Sequence, residues 1–189
     1  LTVSFGIGGS GTGSGTYDHN SNAAIVATPD SGYNFAGWTG AGVSDPSAGA
    51  TTASMTQDRT VTATFVAKTY VLAVTAGSGG SATGSGTFPH GTDANVTATP
   101  NVGYDFAGWT GEGLADAGAV TSTVSMTQDH NVSATFAPKN FTLQITSSAG
   151  GSVTGAGTYA YGTLAVIEAL PDPSYVFAGW TGEGVGDAN

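Results

Sequence analysis

The sequence predicts an all-β protein, built as a tandem array of small 71-residue repeats that form an elongated rod. Three observations predict this fold class. The hexapeptide Phe-Ala-Gly-Trp-Thr-Gly at residues 35–40 returns unchanged at 106–111 and 177–182, so one interval runs through the chain. Apolar and polar residues alternate with a period of two in β-branched and aromatic runs, between turn residues. Finally, no window carries a helical stripe of apolar residues.

The interval divides the chain into repeat 1 (residues 1–68), repeat 2 (69–139) and repeat 3 (140–189). The junctions Ala-Lys-Thr and Pro-Lys-Asn are short, which favours a semi-rigid rod over flexibly linked units. Repeat 3 stops before a counterpart of the Met-Thr-Gln-Asp segment and the Val-x-Ala-Thr-Phe strand, so its last hairpin strand is missing. We expect this chain to be a piece of a longer array. The alternative is that a neighbouring chain supplies the strand by β-augmentation.

Each repeat contains several short alternating runs. In repeat 1 these are Leu1, Val3 and Phe5, then Ile25 and Ala27, then Tyr33 and Phe35, and last Val61, Ala63 and Phe65. Thr62 and Thr64 alternate with the last run and face outward. Strands with one polar face predict antiparallel sheets that are solvated on one side.

The glycine before each tryptophan predicts a β-bulge. In an unbroken strand Trp38 would point away from Tyr33 and Phe35, and a bulge at Gly37 turns the indole toward the same core. We therefore predict tryptophans that anchor the core and do not serve as ligand platforms. The predicted structural core comprises Trp38, Trp109, Trp180, Tyr33, Phe35, Tyr104, Phe106, Tyr175, Phe177, Phe65 and Phe136.

Composition excludes several classes of protein. Three Lys and Arg residues stand against 13 Asp and Glu, which gives a net charge of −10 and no means of neutralising a run of phosphates, so we expect no nucleic-acid partner. Without Cys there are no disulfides, thiolate zinc sites or Cys nucleophiles. No stretch approaches the roughly 20 apolar residues that span a bilayer, so we expect no membrane insertion. The 39% of hydrophobic residues suffices for a core.

One motif carries a family resemblance. In repeat 1 it reads Leu-x-Val, Gly-x-Gly-Thr-Tyr, Ala-x-Pro-x-x-Gly-Tyr-x-Phe-x-Gly-Trp-x-Gly and Met-x-x-Asp-x-x-Val-x-Ala-x-Phe. This pattern resembles the divergent internalin B-type repeat of bacterial surface proteins. Residues 1–65 and 72–136 match throughout, and 143–182 match the first two-thirds, with Pro173-Ser174 replacing the usual glycine before tyrosine. The resemblance implies a β-grasp-like unit, strung in tandem on secreted or wall-attached proteins, with no catalytic residues.

The loop after each tryptophan is acidic. Asp45, Asp116 and Asp187 stand in register, and Glu112 and Glu183 lie in the same loop of repeats 2 and 3. Carboxylate pairs together with loop carbonyls could hold Ca²⁺, which takes six to eight oxygen ligands. The first repeat has alanine in place of the glutamate, and no EF-hand spacing is present. The sequence therefore favours solvated loops and no cofactor, with calcium as the alternative.

Histidines and sequons are the remaining chemical candidates. His19, His90 and His130 have no metal-binding spacing, and we expect them on surface turns. Asn95, Asn131 and Asn140 begin N-glycosylation sequons, which would be used only in an organism that glycosylates its surface.

We therefore expect a non-enzymatic extracellular segment, a stalk, spacer or filament-forming part of a surface or secreted protein, whose partners are the neighbouring repeats of its own chain. The alternative is an adhesive module that binds glycan or protein ligands through aromatics and polar loops. A third hypothesis is homotypic assembly into fibres through open strand edges. If Tyr17, Phe88 and Tyr159 or the three tryptophans are exposed in a row, a binding module is favoured. If they are buried, a spacer is favoured.

Overall fold

The computed structural model describes residues 1–185, which form β-strands and no helix. Repeat 1 contains β1 (Thr2–Phe5), β2 (Gly9–Thr12), β3 (Ser21–Pro29), β4 (Tyr33–Thr39), β5 (Ala50–Met55) and β6 (Thr60–Ala67). Repeat 2 contains β7 (Thr69–Ala76), β8 (Gly80–Thr83), β9 (Gly86–Pro89), β10 (Asp93–Pro100), β11 (Tyr104–Thr110), β12 (Thr121–Ser125) and β13 (His130–Pro138). Repeat 3 contains β14 (Asn140–Leu143), β15 (Gly151–Thr154), β16 (Gly157–Ala160) and β17 (Glu168–Pro171). The predicted all-β tandem array is confirmed.

Repeats 1 and 2 are each built from two sheets. In repeat 1 the strand orders are β1-β6-β4 and β2-β3-β5, and in repeat 2 they are β11-β13-β7-β9 and β12-β10-β8. Within the described residues, no helix is long and apolar enough to cross a membrane. The two-layer arrangement follows from the alternating pattern, because each sheet has one apolar face to bury against another element.

The last strand of each complete repeat occupies the middle of its sheet. In repeat 2, β13 pairs antiparallel with β11 on one side and parallel with β7 on the other, where His130 lies opposite Leu72. In repeat 1, β6 likewise lies between β4 and β1 and runs parallel to β1. The expected antiparallel pairing holds for nine of the eleven strand pairs among the described residues and was wrong for β1–β6 and β7–β13. Alternation within a strand reports which face is buried and carries no information on the direction of its neighbour.

The core of each complete repeat lies between its two sheets. The strands β3, β6, β10 and β13 contribute small or β-branched side chains at alternate positions, as the burial of Ala23, Ile25 and Ala27 on β3 illustrates. The buried cluster of repeat 1 is Val3, Ile25, Ala27, Trp38, Ala53, Val61 and Ala63. The buried cluster of repeat 2 is Leu72, Ala94, Val96, Ala98, Trp109, Val124, Met126, Val132 and Ala134. Phe35, Phe65, Phe106 and Phe136 are half-buried at the margins of these clusters.

Repeat 3 is arranged differently in its described part, residues 140–185. Its strands pair two by two, β14 with β16 and β15 with β17, and these residues include no counterpart of β6 or β13. Tyr175 is 58% exposed and Phe177 41% exposed, so their assignment to the core was wrong, while Trp180 is half-buried. In repeats 1 and 2 the central strand covers the equivalent side chains. In repeat 3 a groove of about 810 Å³ lies here, lined by apolar residues such as Leu143, Ile167 and Trp180 and by polar ones such as Gln144 and Ser152.

Truncation of a core methionine tests this description of repeat 2. Met126 is fully buried between the sheets, so Met126→Ala is expected to lower the free energy of unfolding of repeat 2 by about 2–5 kcal/mol. Urea unfolding followed through the backbone amide signals of repeat 2 measures the change. Val102→Ala is the control, because Val102 is 84% exposed and its truncation is expected to change stability by no more than about 0.5 kcal/mol. Equal effects of the two variants would contradict this packing.

Candidate functional site

The strands that carry Trp38 and Trp109 each contain a bulge at the preceding glycine. The register of β4 against β6 shifts between Phe35 and Gly37, and Gly37 has a φ of 147°. The bulge lies where the sequence predicted it. It turns Trp38 into the core, where the side chain is 4% exposed and its ring centroid lies 5.9 Å from that of Phe35. Trp109 of repeat 2 is 5% exposed.

Each buried indole also fixes the loop that follows it. The backbone N–H of Trp38 donates to the Pro46 carbonyl at 2.8 Å, and its indole Nε1–H donates to the Ala48 carbonyl at 3.0 Å. Trp109 makes the same two bonds, to Ala117 at 2.8 Å and Ala119 at 3.0 Å. β4 and β11 are edge strands. The loop therefore accepts the hydrogen bond from the tryptophan backbone N–H, which an open edge strand could otherwise donate to another chain.

The acidic residues of these loops hold their own backbone. One carboxylate oxygen of Asp45 accepts hydrogen bonds from the Ser47 hydroxyl at 2.7 Å and the Ser47 N–H at 2.9 Å. These bonds, led by the hydroxyl, lower the pKa of the Asp45 carboxyl below its ordinary value. In repeat 2 the Asp116 carboxylate accepts a bond from the Gly118 N–H at 2.8 Å. The carboxylates therefore act as local turn acceptors.

The structure does not gather these carboxylates into a metal centre. Among residues 1–185, no group of three or more His, Asp or Glu side chains is placed to share an ion. Glu112, Asp116 and Glu183 are exposed, and Asp187 lies outside the described residues. Both the absence of a cofactor and the calcium alternative stay untested.

One of the three histidines is buried in a strand, and a second is half-buried in a turn. His19 is exposed, as expected, but His130 is only 6% exposed and its Nε2 has no hydrogen-bond partner. His130 is the first residue of β13 and packs against Gly113. Arg59, its counterpart in repeat 1, instead donates from Nε to the Ser54 carbonyl at 2.6 Å. The surface expectation was therefore wrong for His130, because that position faces the interior.

His90 lies at the junction of repeats 1 and 2. Its ring lies edge-on between Tyr33 of repeat 1 and Tyr70 of repeat 2, at centroid distances of 6.1 Å and 5.9 Å. His90 lies in a turn, as expected, but its side chain is half-buried in the junction. Lys68 bridges the same junction through its backbone: its N–H donates to the Gly32 carbonyl and its carbonyl accepts from the His90 N–H, both at 2.7 Å.

The junction of repeats 2 and 3 has the same construction with tyrosine in place of histidine. The Tyr161 ring packs on Tyr104 at 6.0 Å and on Phe141 at 6.4 Å. The Lys139 N–H donates to the Gly103 carbonyl at 2.8 Å, and its carbonyl accepts from the Tyr161 N–H at 2.7 Å. Sequence reasoning missed these residues of the two junctions, which we call the joints between repeats. The signal that could have found them was a ring recurring at the 71-residue interval, at His90 and Tyr161.

The aromatics considered for ligand binding are mostly covered. Tyr17 is 36% exposed, while Phe88 and Tyr159 are half-buried. The Tyr17 and Tyr159 hydroxyls donate to the Gly13 and Gly155 carbonyls at 3.0 Å and 2.7 Å, so each ring lies back on the segment four residues before it. The sequon residues Asn95, Asn131 and Asn140 are all exposed.

Comparison with protein families finds one matching description, the divergent InlB B-repeat domain, at residues 1–69, 70–140 and 141–189. These three matches cover the whole chain and follow the interval read from the sequence. No curated protein and no solved structure is significantly similar to the chain.

Removal of the indole hydrogen bond tests the role assigned to the tryptophans. Trp109→Phe leaves the Ala119 carbonyl without its buried donor and is expected to lower the free energy of unfolding of repeat 2 by roughly 1–3 kcal/mol. Amide hydrogen exchange of residues 115–119 should accelerate in parallel. Tyr17→Phe removes a comparable bond at an exposed position and is expected to change stability by no more than about 0.5 kcal/mol. Unchanged amide exchange of residues 115–119 in Trp109→Phe would contradict the role of the indole in fixing this loop.

The Asp45 turn predicts a pH-dependent contribution to stability. Because the pKa of Asp45 is lowered on folding, its bonds stabilise repeat 1 above the ordinary aspartate pKa of about 3.9 and are lost as the pH falls through the lowered value. Ser47→Ala is therefore expected to raise the pKa of Asp45 and to destabilise repeat 1 at neutral pH only. An NMR titration of the Asp45 carboxyl carbon measures the shift, with Ser44→Ala as the control in the same loop. A pKa unaffected by Ser47→Ala would be incompatible with this origin.

Proposed function

The chain belongs to the divergent InlB B-repeat domain family, and from this membership we propose that it is a non-enzymatic structural segment, a stalk or spacer, of a bacterial surface or secreted protein. The observation that carries the proposal is the construction of the joints. A spacer has to transmit position and force from one repeat to the next, and this requires junctions that do not behave as free linkers.

The junctions leave little chain free. β6 ends at Ala67 and β7 begins at Thr69, so Lys68 alone connects the two repeats. Its N–H is hydrogen-bonded to Gly32 of repeat 1 and its carbonyl to His90 of repeat 2. At the next junction β13 ends at Pro138 and β14 begins at Asn140, and Lys139 is held in the same way. An aromatic contact then closes each joint. These features support a stiff array in which length grows with the number of repeats.

The described residues offer little to an enzymatic mechanism. The large groove of repeat 3 has Leu143, Ile167 and Trp180 among its lining residues and occupies the place that a β-strand fills in repeats 1 and 2. The loops that recur at the 71-residue interval use their carboxylates to hold backbone N–H groups. Both observations support a structural role, and the family match supports an extracellular position.

The covering of the aromatics favours spacing over adhesion. The Trp38 and Trp109 side chains lie in the cores, and Phe88 and Tyr159 are half-buried. Exposure of Tyr17 favours the adhesive alternative, in which a glycan or protein ligand stacks on the ring. The β4 and β11 edge strands are hydrogen-bonded to the loops that follow them, which supports a segment that stays monomeric instead of assembling into fibres.

Binding measurements on the full chain distinguish the spacer from the adhesive module. We expect no saturable binding on a glycan array or to extracellular-matrix proteins, together with an elongated small-angle X-ray scattering profile at low and high salt. The matched control is Tyr17→Ala, which removes the exposed ring. Saturable binding by the wild type that Tyr17→Ala abolishes, with the fold unchanged in circular dichroism, would overturn the spacer proposal in favour of adhesion.

A further inference from the structure

Each joint depends on a glycine that admits a ring from the next repeat. Gly32 and Gly103 have left-handed backbones, with φ of 85° and 83°. A Cβ built on Gly32 would overlap the ring of His90, and one built on Gly103 would overlap the ring of Tyr161. We call this glycine and the tyrosine after it, Gly32-Tyr33 or Gly103-Tyr104, the ring notch. Its occupant is a flat side chain from the turn after β9 or β16.

Repeat 3 carries serine where the other two repeats carry the notch glycine. Ser174 has a φ of 78°, close to that of the two glycines, and the turn keeps its hydrogen bond, from the Tyr175 N–H to the Asp172 carbonyl at 3.0 Å. The same bond in repeat 1 joins Tyr33 to Asp30, also at 3.0 Å. The backbone therefore has the shape of a ring notch, although the left-handed region is unfavourable for serine. The Ser174 Cβ stands where a docked ring would lie.

We propose that the ring notch is the docking surface through which one repeat binds the next, that its glycine is the specificity-determining residue, and that Ser174 closes the notch of repeat 3. The partner that fits an open notch is a second repeat of this kind, presenting a His or Tyr ring. A repeat with such a ring meets the Ser174 Cβ and docks on repeat 3 only through a changed joint. This proposal about the ring notch concerns contacts between repeats, and it applies whether the chain is a spacer or an adhesive module.

The joint between repeats 1 and 2 provides the test, because both repeats have complete cores. The chain has no cysteine, so Ser10→Cys and Ser81→Cys, at equivalent exposed positions of β2 and β8, give two unique sites for nitroxide labels. Pulsed electron paramagnetic resonance then measures the distribution of distances between repeats. The wild-type joint is expected to give a single narrow distribution, and Gly32→Ser, which places the repeat 3 residue in the notch, a shifted or at least twofold broader one.

Gly91→Ser is the matched control. Gly91 has a φ of 77° and lies next to His90, but a Cβ on it would meet nothing within 4 Å. It therefore reproduces the backbone strain of Gly32→Ser without filling the notch, and the narrow distribution is expected to persist. A Gly32→Ser distribution that matches the wild type, or an equal broadening in Gly91→Ser, would overturn the proposal.

Removal of the ring separates docking from local misfolding. In a His90→Ala background the notch is empty, so adding Gly32→Ser is expected to leave the distance distribution of His90→Ala unchanged. Amide spectra of β3 and β10 report whether both cores stay folded in every variant. A further broadening by Gly32→Ser in the absence of the ring would show that the serine acts through the turn itself and would contradict the docking rule. Ser31→Pro with Gly32→Ser, which transplants the whole repeat 3 turn, is expected to behave as Gly32→Ser does.

Discussion

The insertion of the last strand of a repeat between its first strand and its tryptophan strand is the constraint on which the rest of the structure depends. In repeat 2, β13 pairs with both β7 and β11, and it contributes Val132 and Ala134 to the core. The described part of repeat 3 has no such strand. There β14 has four residues where β7 has eight, and Tyr175 and Phe177, which follow β17, are exposed. The pairs β14–β16 and β15–β17 are therefore present without a described counterpart of this strand, whereas burial of the Tyr-x-Phe segment before the tryptophan accompanies it.

Closure of a repeat and docking of the next are linked through the same segment. Gly32 directly precedes β4 and Tyr33 begins it. β6 holds β4 in register, and the two residues present the surface that receives His90. The residue after β6, Lys68, hydrogen-bonds to both sides of that contact. A repeat whose sheet is completed by its last strand therefore also forms the surface that binds the next repeat. A chain with few charges and no disulfides is expected to form an extended array in this way. Such nearest-neighbour coupling is typical of quasi-one-dimensional repeat proteins.

Much of this could be predicted from sequence because the information is local or periodic. The exact 71-residue interval predicted the tandem array, the alternation of apolar and polar residues predicted the strands, and the glycine before Trp38 predicted the bulge. The parallel pairing of β7 with β13 could not be predicted, since the direction of a distant strand leaves no mark on either pattern. The burial of His130 and the joint position of His90 were missed for a related reason: a histidine carries no signal of the surface it meets, and the notch glycine reads as an ordinary turn residue.

The central claim is that neighbouring repeats form one rigid body, and residual dipolar couplings of the wild-type chain test it most directly. Amide couplings from the strands of repeat 1 and of repeat 2 would be fitted to alignment tensors separately, with the known strand geometry as the frame. The account predicts that both repeats share one tensor in magnitude and orientation. Tensors of clearly different magnitude would show that the repeats reorient independently and would contradict the account of the joint.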